Sequence, residues 1–333
     1  MTIKVGLGPE TTANSFYQSG LKVAQKLNED PRFKADCFKE PFRIDDLSRF
    51  DVLVFIKICP SYDVLKELKR MGKKLILDYQ DMFLFPSVYE TNQLRKLLKK
   101  IYYLNLEKKE RKRYSLFDYC FVSSPVSETI VKDADMKPFF IDRQIYNDWN
   151  EHHPRRHNDK TKDLTIVWTG VGMNIVQNKD VEPILEAICR KYHSKVIYLT
   201  DAKKTNNSFI EYKKWELDEW EKDLANADIA FRWWNYSNDQ YHKDSNKIIS
   251  YMAAGLPVVC RPTLSDKRVI KHGETGFFAE TVDEFGAWIE KLIVSPDLRR
   301  SIGVCAHKDV WSKYSLEHHV DHIKKLITEL INV

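Results

Sequence analysis

Between Lys243 and Lys247 the chain reads Lys-Asp-Ser-Asn-Lys, and a small-residue helical run follows to Ala254. Two ammonium groups, a hydroxyl and an amide are thereby gathered at one helix start. The first backbone N–H groups of a helix lack intrahelical partners and carry partial positive charge. Such an end, crowded by lysines, is built to hold an anion, phosphate above all. Ser245 is the expected N-cap and Gly255 the helix stop, with Pro257 opening a short buried strand. The same residues also suit an ordinary cap with solvated lysines, so the function must be sought in what positions them.

Two stretches share one local design. Ile3–Gly8 runs into a turn and then a helical pattern from Ser15 to Leu27. Leu164-Thr-Ile-Val-Trp-Thr-Gly170-Val-Gly172 runs into a polar loop ending at Lys179 and a helix over 180–191. Each is a strand, a Gly-x-Gly turn and a helix, and these turns take four of the chain's eleven glycines. Glycine suits a tight turn or a close approach to a ligand. Neither turn completes Gly-x-Gly-x-x-Gly, so a dinucleotide site is not expected.

Apolar runs at 51–56, 74–78, 119–123 and 139–142, then at 195–199, 228–231, 257–260 and 277–279, alternate with helical patterns. Such alternation predicts parallel sheets covered on both faces. The expected organisation is α/β with two doubly wound domains, 1–150 and 163–310, joined by a polar linker at 151–162 and followed by a helical tail at 311–333.

The 333 residues suit two domains, and 43% hydrophobic with 30% charged residues is globular composition. Lys+Arg 53 against Asp+Glu 48 gives +5, which fits an anionic ligand or a membrane surface and does not argue for nucleic acid. Six cysteines form no Cys-x-x-Cys pair and read as buried thiols of a reducing cytosol. No signal peptide is expected at MTIKVGLGPE, and no apolar run approaches the ~20 residues of a membrane span. The expected location is cytoplasmic, either free or peripheral on the inner face of the membrane.

Lys247-Ile-Ile-Ser-Tyr-Met-Ala-Ala-Gly-Leu-Pro-Val-Val259, followed by Val269-Ile-Lys-His-Gly-Glu-Thr-Gly-Phe-Phe278, resembles the C-terminal half of GT-B glycosyltransferases of the large retaining group (family four, glycosyl transferases group 1). The likeness continues through Asp297–Gly303 and Tyr314–Glu317, with weaker echoes at Asp78-Tyr-Gln-Asp81 and Asp118–Ser124. It implies two Rossmann-like domains facing a central cleft, with a last helix crossing back to the first domain. A nucleoside-diphosphate sugar would be held by the C-terminal domain and a glycan or lipid-linked acceptor by the N-terminal one. The implied activity is sugar transfer to a hydroxyl in cell-surface glycan assembly (lipopolysaccharide, capsule or glycolipid), with no metal and no cofactor beyond the donor.

The resemblance sets the helix start and Lys247 against the donor diphosphate. The expected donor-binding residues are Gly170, Gly172, Lys179, Arg232, Lys243, Ser245, Asn246, Lys247, Ser250 and Arg261. Lys247 and Lys179 would carry charge for the leaving group, with Asp81 as a further catalytic candidate. Gly8, Glu10, Thr11, Asn14 and Asp81 are expected toward the acceptor. The chain departs from the family where two glutamates usually stand: they fall at His242 and Ser250, and Gln80 replaces a family histidine. Asp81, Asp239 and Asp244 are candidate substitutes. A non-catalytic GT-B binder and a nucleotide-sugar epimerase therefore stay open beside a transferase.

Three other clusters suggest less. Asp133-Ala-Asp135 ends a helical pattern and reads as a turn. His318 and His322 share a helix face without a zinc motif, and His152, His153 and His157 lie in the polar linker. Arg95–Arg113 carries nine basic residues around a Leu94, Leu97, Leu98, Ile101, Leu104 stripe. That stripe reads either as a core-facing helix with a solvated basic face or as a surface for anionic lipid.

Overall fold

The protein is described here by a computed structural model covering residues 2–12, 14–80, 94, 97–98, 110–133, 135–145, 151, 157–201, 209–217, 219–235 and 243–332. It divides into two compact units: Met1–Gln144 with Leu316–Val333, and Ile145–Ser315.

The first unit is built on a six-stranded parallel sheet. Its strands are β1 (Ile3–Gly8), β2 (Phe33–Cys37), β3 (Val52–Ile56), β4 (Lys74–Asp78), β5 (Tyr119–Val122) and β6 (Pro138–Phe140), in the order β2-β1-β3-β4-β5-β6. Val52–Ile56 is buried at every position, as a central parallel strand requires. The helix Leu316–Asn332 belongs to this unit, where Val320, Ile323, Leu326 and Ile327 join Val5, Leu7, Val23 and Leu27 in one core.

The second unit repeats the design with β7 (Thr165–Thr169), β8 (Lys195–Thr200), β9 (Ile210–Lys214), β10 (Ile229–Arg232), β11 (Val258–Cys260) and β12 (Phe277–Phe278). The order is β12-β11-β10-β7-β8-β9, again all parallel. The doubly wound α/β reading thus holds for both units. β2 and β9, which the apolar runs do not reveal, are each an edge strand. Phe33–Cys37 alternates buried and exposed residues and Ile210–Lys214 buries only Ile210, because an edge strand needs few apolar side chains.

Two boundaries differ from the sequence reading. Residues 311–315 stay with the second unit, in or beside the helix Pro296–Tyr314, where the Trp311 indole donates to the Ala253 carbonyl. The described end of the polar stretch at 151–162 is also fastened to that unit. Buried Arg299 donates to the carbonyls of Asn158 (3.0 Å) and Lys160 (2.7 Å), and the Asn158 amide donates to Asp228 (2.7 Å). A buried guanidinium needs acceptors, and this segment supplies them.

Candidate functional site

In the second unit, β7 is followed by β8 and β9 on one side, whereas β10 and β11 lie on the other. The chain reverses its winding between β7 and β10, and ligands of doubly wound sheets bind at the strand C-termini of such a switch point. β7 ends there at Thr169-Gly170, and β10 ends at Arg232.

The helix Asn246–Ala253 approaches this edge and carries Lys247 in its first turn. The hydroxyl of buried Tyr251 accepts from the Thr169 N–H at 2.8 Å, which fastens the helix to the end of β7. The Lys247 ammonium lies 5.1 Å from the ring centre of Trp168, a β7 side chain 2% exposed. It also lies 2.6 Å from the point that a Cβ on Gly170 would occupy. Gly170 therefore leaves the space into which the lysine reaches.

Burial, then the neighbouring charges of Arg232 and Lys243, push the Lys247 pKa down to about 7, with Asp244 opposing them. Among the described residues no carboxylate forms an ion pair with it. An arriving anion would supply the missing counter-charge and restore full protonation.

Arg232 is differently placed. It forms an ion pair with fully buried Asp266 at 2.7 Å. Asp266 also accepts from the Ser245 hydroxyl (2.8 Å) and from the Thr263 N–H (2.7 Å) and hydroxyl (2.8 Å). Arg232 thus supports the floor of the site, with its charge already met. Ser245 precedes the helix but does not cap it through its side chain, because its hydroxyl is drawn to Asp266. The Asp244 carboxylate accepts from the Asn246 N–H instead, at 3.3 Å.

The remaining expected donor residues separate further. Ser250 donates its hydroxyl to the Asn246 carbonyl at 2.9 Å, so it turns back onto its own helix. Arg261 stacks on the Trp233 ring and donates to the carbonyls of Trp234 (3.2 Å) and Glu280 (3.0 Å). Lys179 is exposed after the 3-10 stretch Gly172–Asn178 and is not among the principal charges acting on Lys247. Gly172 donates its N–H to the Asp201 carboxylate at 2.6 Å. The structure therefore brings together Gly170, Lys247, Lys243 and Asn246, with Arg232 beneath and Lys179 apart.

In the first unit, a Cβ on Gly8 would meet the Phe38 carbonyl at 2.6 Å, so packing alone demands glycine there. Glu10 is exposed and paired with Lys39 at 3.1 Å, and Thr11 is exposed. Asn14 opens a short helix, Asn14–Phe16. Asp81, Asp239 and His242 lie outside the described residues. Gln80 donates to Asp78 (2.5 Å) and to the Ser19 hydroxyl (3.0 Å). Arg143, itself buried, pairs with Asp78 at 3.1 Å.

Sequence reasoning missed Trp168, Tyr251, Asp266 and Asp201. Tyr251 lies inside the quoted motif, but nothing there marks its hydroxyl as the acceptor for β7. Thr263-Leu-Ser-Asp266 has the spacing of a local turn capped by its own threonine, a signal available in the sequence.

Residues 218–325 match the family described as glycosyl transferase-like. A search of curated proteins found no matching sequence. Among solved structures, a sucrose-phosphate synthase from Thermosynechococcus elongatus is similar at TM-score 0.65 and 10% identity, over 100% of both chains. HepE from Anabaena, in complex with UDP, is similar at TM-score 0.66 and 11% identity, over 99% of this chain and 100% of that one. A glycosyltransferase from Rickettsia africae gives TM-score 0.61 and 13% identity over 99% and 98%. The chain has the GT-B fold, and residues 218–325, where the resemblance is strongest, are similar to the glycosyl transferase-like family.

Proposed function

We propose that the protein transfers a sugar from a nucleoside-diphosphate sugar to an acceptor hydroxyl in the assembly of a cell-surface glycan. The observation that carries this reading is Lys247: a half-buried ammonium at the β7–β10 switch point with no ion-pair partner among the described residues. The hard step of glycosyl transfer is departure of the diphosphate as the sugar becomes oxocarbenium-like. A charge fixed beforehand at that leaving group stabilises the transition state without reorganisation. Lys247, the neighbouring Lys243 and the N–H groups of the helix start supply it. HepE has been solved with UDP and with UDP-glucose, which supports a nucleotide sugar as the donor class.

The transfer needs no metal in this reading, because lysine and backbone dipoles meet the leaving charge. Retention of anomeric configuration follows the family resemblance. The test is incubation with a panel of nucleotide sugars and acceptors, followed by assay of nucleotide release and of product anomer. Acceptor-dependent release identifies a transferase. Release without acceptor indicates an epimerase, and tight binding without release indicates a binder.

A membrane-surface acceptor has its own support. Leu94, Leu97 and Leu98 are 66%, 54% and 57% exposed, so they do not form the core-facing stripe that their spacing permits. By sequence they alternate with Arg95, Lys96, Lys99 and Lys100, which lie outside the described residues. Exposed leucines among basic residues suit the interface of an anionic bilayer. Among the described residues no helix is long and apolar enough to cross a membrane, and peripheral attachment would bring a lipid-linked acceptor to the enzyme.

A further inference from the structure

Two histidines on the last helix of the first unit take no part in the chemistry described above. His318 and His322 both lie in Leu316–Asn332, and both are exposed. Residues four apart on a helix share a face, one turn above the other. Their ring centres are 4.7 Å apart, with the planes at 69°. Each ring can turn one nitrogen toward a common point, and the planes need not be parallel, because each lone pair lies in its own ring plane.

The separation suits one shared metal ion. Zinc–nitrogen bonds are about 2.0–2.1 Å and a ring nitrogen sits about 1.1 Å from its ring centre, so each centre would stand about 3.2 Å from the ion. Two centres at that distance from the ion and 4.7 Å from each other subtend about 95° at it. Square and octahedral coordination require about 90° and tetrahedral coordination about 109°.

The helix beneath the pair is already held in place. His319, between them, is buried and bonded through Nδ1 to the Asp142 carbonyl at 3.0 Å. Val320 and Ile323 are core residues of the first unit, and Glu317 pairs with Lys26 at 2.7 Å. The backbone that spaces His318 and His322 is thus fixed before any ion arrives, and such preorganisation favours binding. Among the described residues no third His, Cys, Asp or Glu forms a metal-holding group with them. Two imidazoles would hold the ion and water would take its other positions. Imidazole suits copper, nickel and zinc, whereas magnesium and calcium prefer oxygen. The chain passes from the second unit to the first between Ser315 and Leu316, so an ion here would clip the first two turns after that crossing. We propose that His318 and His322 form a two-histidine site for a divalent transition-metal ion, which fastens the start of the last helix.

Titration of the chelator-treated full chain with Cu²⁺, Ni²⁺, Zn²⁺ and Mg²⁺, with thermal melting at each ion concentration, tests this site. Binding should be tightest for Cu²⁺ and absent for Mg²⁺. Ni²⁺ at 100 times its dissociation constant should raise the melting temperature of wild type by about 3–5 °C. His318→Ala and His322→Ala change exposed positions, so without metal both should melt as wild type does. Each should weaken Ni²⁺ binding about tenfold or more and abolish the melting shift. Unchanged Ni²⁺ affinity and an unchanged shift in both variants overturn the site and move the ion to other groups, such as His152, His153 and His157. A loss in only one of the two variants overturns the shared site as well. If wild type neither binds these ions nor gains melting temperature with them, the proposal falls, and the diphosphate reading of Lys247 stands apart from that result.

Discussion

The Lys247 ammonium lies 2.6 Å from the position of a Cβ on Gly170, so one residue's missing side chain is the other's space. Glycine is needed at 170 for close approach. A Cβ there would also meet the Trp168 ring at 2.7 Å, and that ring is packed in the core and cannot yield as a lysine tip can.

Gly170→Ala is therefore expected to lower stability through the Trp168 contact and to displace Lys247 from the crevice, with folding of the variant checked by circular dichroism. A shift of about 1 Å in a positioning group costs on the order of 10²-fold in rate. Steady-state kinetics with the best donor should show a loss of that size in kcat/KM. Wild-type kinetics, with the substitution verified, would show that Lys247 does not need the space over Gly170.

Part of this site is legible in the sequence, and what is not has physical causes. The Lys243–Lys247 cluster and the Gly170 turn were both recognisable, because glycine and lysine are informative in any context. Pairing was not. Ser245 reads as a cap, yet Asp266, twenty-one residues on, takes its hydroxyl. Arg232 sits at the right strand end, but the same buried carboxylate meets its charge. The edge strands β2 and β9 lack the apolar runs that reveal the central strands. His318 and His322 are exposed, as their pattern indicates, whereas His319 between them is buried against the Asp142 carbonyl. Burial pushes the His319 pKa down to about 4, and no local pattern in the sequence marks that residue.

Asp266 offers a stability test separate from catalysis. It is fully buried, and Asp266→Ala would leave the Arg232 guanidinium, also buried, without a counter-charge. Removing one partner of a buried pair costs about 3–5 kcal/mol. Denaturant unfolding of the full chain should show a loss on that scale. A loss under about 1 kcal/mol would mean that Arg232 finds solvent or another partner.

For the 94–113 stretch, weak and salt-sensitive sedimentation with anionic vesicles is expected. Each basic residue near such a surface adds about 1 kcal/mol, screened within a Debye length. Reversing the charge of Lys96, Lys99, Lys100 and Lys108 together should abolish the binding. Replacing Leu94, Leu97 and Leu98 with serine should remove the part that persists at high salt. Unchanged sedimentation in both variants would leave the basic face a solvated surface.

Lys247 gives the sharpest prediction, because its pKa near 7 couples charge to ligand. The folded value lies below the usual lysine value of 10.5, so folding is favoured most above 10.5 and the penalty grows as pH falls toward 7. Binding runs the opposite way. The protonated ammonium is the form that holds a diphosphate, so affinity should be greatest below pH 7. It should fall about tenfold per unit as pH rises above 7, until bound anion and solvent set the limit. Because the charge meets the leaving group mainly as the bond breaks, Lys247→Ala should lower kcat by about 10²–10³ with a smaller change in KM. The same variant removes the cost of burying an ammonium, so its melting temperature at pH 6 should not fall with its activity. Titration of the nucleoside diphosphate across pH 6 to 9 should give a steep slope for wild type and a flatter one for Lys247→Ala. Parallel slopes, or normal turnover by a folded variant, would remove Lys247 from the leaving-group site.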